Sequence, residues 1–243
     1  TNAKTLRESL VQSGAIFSRT SDTEVLLHLY ARSKADSFSG RMVEALKQVE
    51  GAWCIVAMSG DRLFAARDPR GFRPLVLGQL GSAFVVASET CALIQLGATF
   101  VREIEPGEVV EIYEGQVHSS YPFAPQSPKP CMFEHVYVAR PDSVLFGKGV
   151  YDTRVELGRA LARLHPKDVD VVVPVPDSGV PAALGYAQAS GVPYALGLLR
   201  SHYVGRTFIQ PTQTGRDSGV SLKLHVIESV IRGKRLVVID DSI

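Results

Sequence analysis

The sequence predicts two joined units of different class: an α+β layered unit first, then an α/β unit built on a parallel sheet. Three observations point there. In the first half, helical spacing gives way to a run of short β-rich segments, the pattern of helices layered on sheet. A proline-rich stretch over residues 121–132 then interrupts both periods. Beyond it, Val-rich runs alternate with helical stretches, as in a parallel sheet covered on both faces. The boundaries are drawn at 1–120, a linker at 121–132, and 133–243.

The elements follow in order. Residues 4–13 place Leu6, Leu10 and Val11 on one helical face. In SRTSDTEVLLHLYARS, Thr20 or Ser21 can cap a second helix, with Glu24 three residues after Ser21 in capping-box spacing. Val25, Leu26, Leu29 and Tyr30 then face a core. A third helix over 38–48 carries Met42, Ala45 and Leu46. AWCIVAMS, RLFAARD, LVLGQL, AFVVASE and EVVEIYEGQV read as strands, separated by turns such as SGD, DPRG and EPGE. Pro122, Pro125, Pro128 and Pro130 mark the linker. A helix over 153–164, a strand in VDVVVPV, a helix over 180–189, a strand in YALGLL, a polar loop, a helix over 222–230 and a strand in RLVVID complete the chain.

Bulk properties exclude several functions. The net charge is +1 over 243 residues, so no polybasic surface argues for nucleic acid or membrane partners. No apolar run approaches the roughly 18 residues of a membrane span. Cys54, Cys91 and Cys131 are odd in number and far apart, which suits a reducing compartment such as the cytoplasm. Cys54 and Cys91 lie in apolar surroundings and read as buried thiols; Cys131, after the prolines, is not explained by packing.

Two places carry candidate chemistry. In VVIDDSI, Asp240 and Asp241 follow a buried strand, where ligands bind in α/β sheets. Two acids there can hold sugar hydroxyls or a hydrated Mg²⁺, and Ser242 with nearby backbone N–H groups can form an anion-binding concavity. A solvated turn reads equally well from residue types. Asp177 and Ser178 in PVPDSG end another predicted strand, and the same two readings apply, with either residue as a helix cap.

VVIDDSI resembles the opening of the type I phosphoribosyltransferase signature. SDTEV (21–25), ARDPRGFRPL (66–75), ASET (87–90) and EPGE (105–108) resemble the glutaminase domain of class II amidotransferases. With FEHVYVARPDS (133–143) and YVGRTFIQPTQ (203–213), the chain is identified as a member of the glutamine phosphoribosylpyrophosphate amidotransferase family. That resemblance implies a glutaminase part with an N-terminal nucleophile hydrolase-like αββα fold, followed by a type I phosphoribosyltransferase parallel sheet. It implies transfer of glutamine-derived ammonia to phosphoribosyl pyrophosphate (PRPP), giving 5-phosphoribosylamine, glutamate and pyrophosphate in the first step of purine synthesis. Two alternatives stay open: another class II amidotransferase such as glucosamine-6-phosphate synthase, and a non-catalytic PRPP-binding regulatory module. The VVIDDSI strand end does not suit the sugar isomerase domain of the first.

The resemblance also implies roles. Asp22 holds the α-amino group of glutamine; its plain alternative is a helix cap. Arg67, Arg70 and Arg73 are structural. Asp177 and Ser178 meet pyrophosphate, with Ser178 on Mg²⁺; Gly179 stands where some relatives carry a second serine, which leaves the metal serine open. Asp240 and Asp241 meet the ribose hydroxyls and Mg²⁺, and Ser242 the phosphate loop. Arg206 supplies positive charge to the leaving pyrophosphate and Tyr203 packs on the closed site, whereas residue types alone favour an exposed basic loop. Cys131 matches the first of four cysteines that hold a [4Fe–4S] cluster in one subgroup. The nucleophilic Cys and the Asn-Gly oxyanion pair lie before Thr1, so the chain is expected to be an internal fragment, inactive by itself. Purine nucleotides as feedback inhibitors and a homotetramer complete the expectation.

Overall fold

The computed structural model describes residues 1–201 and 224–241. The chain divides into two units, Thr1–Cys131 and Met132–Ile243.

In the first unit, helices α1 (Ala3–Gln12), α2 (Asp22–Arg32) and α3 (Phe38–Leu46) come first, followed by strands β1 (Cys54–Ser59) and β2 (Arg62–Arg67). β3 (Val76–Leu80), β4 (Ala83–Ala87), α4 (Thr90–Leu96), β5 (Thr99–Glu103), β6 (Val109–Tyr113) and β7 (Gln116–Ser120) complete it. Two antiparallel sheets form, ordered β1-β2-β6-β7 and β4-β3-β5. The period-2 alternation of strands sets the layers. Phe64, Ala66 and Val109 join Leu10, Val25, Leu29, Met42 and Leu46 in a core with the helices. Their neighbours Ala65 and Val110 join Leu75, Leu77 and Ile104 in a second core with the other sheet. On β3, Leu77 faces that core while a Cβ at Gly78 would lie 2.7 Å from Leu93 of α4. The layers therefore run helices, sheet, sheet, helix.

Ser21 caps α2, its hydroxyl accepting the Thr23 N–H at 3.3 Å. The capping box does not close on Ser21; Glu24 reaches past it to the amides of Ser18 and Arg19. Helix α4 and strand β5 were not expected from the sequence. α4 is seven residues long and stops at Gly97 in the left-handed conformation, so it offers too little period to read. The stretch 121–131 lies against the first unit: Phe123 packs edge-on to Trp53, and Lys129 and Cys131 donate their N–H groups to Arg70 and Phe72.

The second unit begins with a π-helical turn (Glu134–Val138) and a small hairpin, β8 (Val144–Leu145) and β9 (Lys148–Gly149). Then come α5 (Val150–Leu164), β10 (Val171–Pro174), α6 (Val180–Ser190), β11 (Leu198–Arg200), β12 (Leu224–Val226), α7 (Glu228–Ile231) and β13 (Leu236–Ile239). β10 and β13 pair in parallel from Val171↔Leu236 to Pro174↔Ile239, and Tyr194 adds a single parallel bridge to Val172. Among the described residues the parallel sheet amounts to this pair and bridge, less than the alternating pattern suggested. The helix expected over 222–230 is a correction: among the described residues, 224–226 is a strand, antiparallel to Leu198–Arg200, and helix is confined to Glu228–Ile231. Pairing with β11 outweighs the local helical period of these residues.

Candidate functional site

In the first unit, Asp22 occupies the first position of α2 and is exposed. Two acids stand in this helical turn, Asp22 and Glu24, where the positive end of the helix dipole favours negative charge. Their partners differ. Both oxygens of Glu24 accept backbone amides, from Ser18 at 2.7 Å and Arg19 at 2.8 Å. The Ser18 N–H above all holds its carboxyl below the usual carboxylate range. Asp22 accepts one hydroxyl hydrogen bond, from Thr1 at 3.2 Å. Of the two, Asp22 carries the fewer hydrogen bonds.

The arginine-rich turn is structural around Arg67. Its guanidinium is buried and donates to the carbonyls of Arg73, Gly71 and Ile104. Asp68, fully buried, accepts the N–H groups of Trp53, Arg70 and Phe72, and burial pushes its carboxyl up. These residues shape the turn between β2 and β3.

In the second unit, two strand ends come together. The N–H of Val175, just after β10, donates to the carbonyl of Ile239, the last residue of β13 (2.8 Å). A Cβ at Gly179 would lie 2.4 Å from that same carbonyl oxygen, so a serine at 179 does not fit this backbone. Ser178 is thus the hydroxyl of this turn. At the opposite strand ends, Arg235 holds Asp168 and Asp170 with its side chain, and its N–H donates to Asp170. Register is thereby fixed at both ends of the pair.

A cavity of about 210 Å³ opens at the paired carboxyl ends, with Ser178, Asp240 and Asp241 in its wall. Arg154, Leu157, Gly158 and Leu161 of α5, Ala182 of α6 and Val136 complete its lining. The Asp241 N–H donates to the Asp240 carboxylate at 2.8 Å. Partial burial raises the Asp240 carboxyl, and the neighbouring Asp241 charge adds to this against that hydrogen bond. Two adjacent carboxylates gain from a cation. Asp177 is not in the wall; its carboxylate pairs with Arg200 at 2.7 Å. Tyr203, Arg206 and Ser242 lie outside the described residues.

Ser178, Asp240 and Asp241 fit a Mg²⁺ ion, which usually takes one or two carboxylates and completes its shell with water and substrate phosphates. The [4Fe–4S] cluster does not fit this chain's own residues. It needs four thiolates, the chain has three cysteines, and no group of three or more metal-binding His, Cys, Asp or Glu gathers among the described residues. Cys131 is half-buried, its N–H bonded to the Phe72 carbonyl.

Sequence reasoning missed Arg154 and Arg200. Arg154 is buried in α5 and donates to the carbonyls of His135 and Ala139, binding the π-helical turn to the helix. A charged residue at a core-facing helical position was its one signal. Arg200, ending a short strand before a polar loop, gave none.

A family model described as a glutamine amidotransferase domain matches residues 1–95. Amidophosphoribosyltransferase of Rhizobium etli is 53% identical over 249 residues, covering 100% of this chain and 50% of that protein. Chloroplastic amidophosphoribosyltransferase 1 of Arabidopsis thaliana is 52% identical, covering 100% of this chain and 43% of that protein. The structure of glutamine PRPP amidotransferase from B. subtilis, complexed with ADP and GMP, superposes with a TM-score of 0.91 at 44% identity, covering 100% of this chain and 53% of that one. The chain spans about half the length of the curated relatives it matches. The helix–sheet–sheet–helix order of the first unit is the N-terminal nucleophile hydrolase fold of a glutamine amidotransferase domain. No helix among the described residues is long and apolar enough to cross a membrane. Likeness of this degree extends over both units: the whole chain is similar to about half the length of these amidophosphoribosyltransferases.

Proposed function

We propose that this chain carries parts of two cooperating sites: a glutamine-binding edge in the first unit and the floor of a PRPP site in the second. Together they serve the formation of 5-phosphoribosylamine, glutamate and pyrophosphate from glutamine and PRPP. The observation that carries the reading is the convergence of Ser178, Asp240 and Asp241 on one cavity at the ends of a parallel strand pair. That arrangement supports assigning the second unit to the type I phosphoribosyltransferase sheet.

In the first unit, Asp22 binds the α-ammonium of glutamine, while Glu24 is spent on the backbone. By family likeness the thioester-forming nucleophile is a cysteine, and the role of Asp22 is binding. In the second unit, Asp240 and Asp241 accept hydrogen bonds from the ribose hydroxyls and Ser178 faces the pyrophosphate. Tyr203, Arg206, Asp177 and Ser242 belong to the same reading as residues around the pyrophosphate and 5-phosphate. Bound Mg²⁺ would neutralise charge on the departing pyrophosphate. Val136, Leu157 and Leu161 give the same cavity an apolar side. Purine nucleotides as regulators are supported by the ADP and GMP bound to the B. subtilis protein. A reducing compartment suits the cysteines, and the Arabidopsis thaliana relative is named chloroplastic. The tetramer and the cluster on Cys131 in the whole protein belong to the proposal as well.

The test is pyrophosphate release from PRPP by the whole gene product, with glutamine or with ammonia as nitrogen source. Asp240→Asn with Asp241→Asn should abolish both rates, and Asp22→Asn should depress the glutamine-dependent rate selectively. Release that survives in the double variant sinks the assignment of the cavity.

A further inference from the structure

We propose that Arg7 and Glu24 are positioning residues for glutamine: together they clamp residues 17–21, the approach to α2, and so set the direction in which Asp22 presents its carboxylate. This rests on the reading of Asp22 as the ligand of the α-ammonium.

The clamp acts from two sides. From α1, Arg7 donates through Nη1 to the Arg19 carbonyl (2.8 Å) and through Nη2 to the Ser21 carbonyl (3.0 Å). From α2, Glu24 accepts the amides of Ser18 and Arg19. Arg19 is therefore held by its N–H from one helix and by its C=O from the other. The same guanidinium lies 4.0 Å over the ring of Phe17, whose other neighbour is the His28 ring at 4.4 Å. Four of the five residues before Asp22 are fixed by side chains from two different helices.

A helix cap needs far less. Ser21 already satisfies one free amide of α2 by itself. The contacts of Arg7 satisfy none of the free amides of the helix: they fall on the carbonyls of Arg19 and of Ser21, the latter also accepting the Glu24 N–H at 3.2 Å. Their effect is on the entry path. Ordering a backbone residue costs conformational freedom, and a loop ordered in advance does not charge that to ligand binding. An ammonium held by one exposed carboxylate depends on such orientation, because an exposed ion pair is weak by itself.

The electrostatics agree. Glu24 has both oxygens committed to amides, which turns a second acid near the ligand into framework. Without Glu24, the Ser18 and Arg19 amides lose their acceptor and the approach segment loosens, though Asp22 keeps its place in sequence at the start of α2.

The experiment is steady-state kinetics on the whole gene product carrying Arg7→Ala, Arg7→Lys, Glu24→Gln or Asp22→Asn, with the melting midpoint followed in parallel. Arg7→Ala and Glu24→Gln are expected to raise the KM for glutamine about tenfold, with kcat at saturating glutamine within about twofold, the signature of lost binding common to ground and transition states. Arg7→Lys, which keeps a cation and donors, should recover part of the KM. If Asp22→Asn raises the KM and the clamp variants do not, the clamp proposal is overturned and the reading of Asp22 stands. If Asp22→Asn leaves the KM unchanged, that reading fails and takes the clamp with it. A fall in kcat together with the melting midpoint would make Arg7 and Glu24 merely structural and would equally overturn the proposal.

Discussion

The two candidate sites place their carboxylates by opposite means. Asp22 stands on an exposed helix start, and what orients it is a set of polar contacts from Arg7 and Glu24. Asp240 and Asp241 follow a strand whose last residue, Ile239, is buried, and their position comes from close backbone packing at Gly179 and from the register of β10 and β13. The difference teaches where damage spreads. Polar contacts at a surface can be cut one at a time with small loss of stability. Close packing admits no such partial failure, because an added atom must displace backbone.

The largest expected effect tests the packed side of this comparison. Helices α5 and α6 cross at Gly158 and Gly185, where a Cβ would lie 1.9 Å from the Ala182 carbonyl oxygen and 2.0 Å from that of Val155. Gly158→Val should cost about 3 kcal/mol or more, as overpacking of backbone contacts does. Calorimetry should show the loss in the transition of the second unit; an unchanged thermogram would break the claim that packing sets this site.

Next comes Glu108, fully buried and bound by both oxygens to Arg102 at 2.7 and 2.8 Å. Burial raises its carboxyl, but the Arg102 pair, the Glu105 N–H and the Ser119 hydroxyl outweigh this and hold it below the ordinary value. A depressed folded-state value means stability present above the unfolded carboxylate range and lost as pH falls through the folded one. Glu108→Gln should cost about 2 kcal/mol near neutral pH, discounted because Arg102 is partly exposed. It should also flatten the acid limb of urea unfolding. A parallel acid limb in the variant would remove Glu108 from the account.

Gly179→Ala is a smaller and sharper test. Its Cβ would meet the Ile239 carbonyl at 2.4 Å and must push the two strand ends apart. Stability should fall by about 1–2 kcal/mol and PRPP affinity by about tenfold, since the turn with Ser178 moves relative to the acids. Weaker binding without any loss of stability would mean that the glycine serves the ligand rather than the packing. Smallest of all is Arg235→Ala, an exposed clip at the far strand ends, which should shift the melting midpoint least and leave PRPP affinity as it was.

What could be read from the sequence divides along the same line. Local signals were legible. Thr20 or Ser21 before an apolar helical period marked the start of α2, where the structure has Ser21, and a Val-rich run meeting two acids marked the end of β13. Long-range events were not. Residues 224–226 are a strand because Leu198–Arg200 pairs with them. Asp177 turns toward Arg200, away from the cavity wall where the acid pair sits. Arg154 donates to the carbonyls of His135 and Ala139, 19 and 15 residues earlier. None of these follows from a window of neighbouring residues.

The most direct measurement is calorimetric titration of PRPP with Mg²⁺ into the whole gene product, wild type against Asp240→Asn with Asp241→Asn. The account predicts saturable binding by the wild type and a loss of about a hundredfold or more in the double variant, at an unchanged melting midpoint. Equal affinity in the two proteins would contradict it and place PRPP elsewhere.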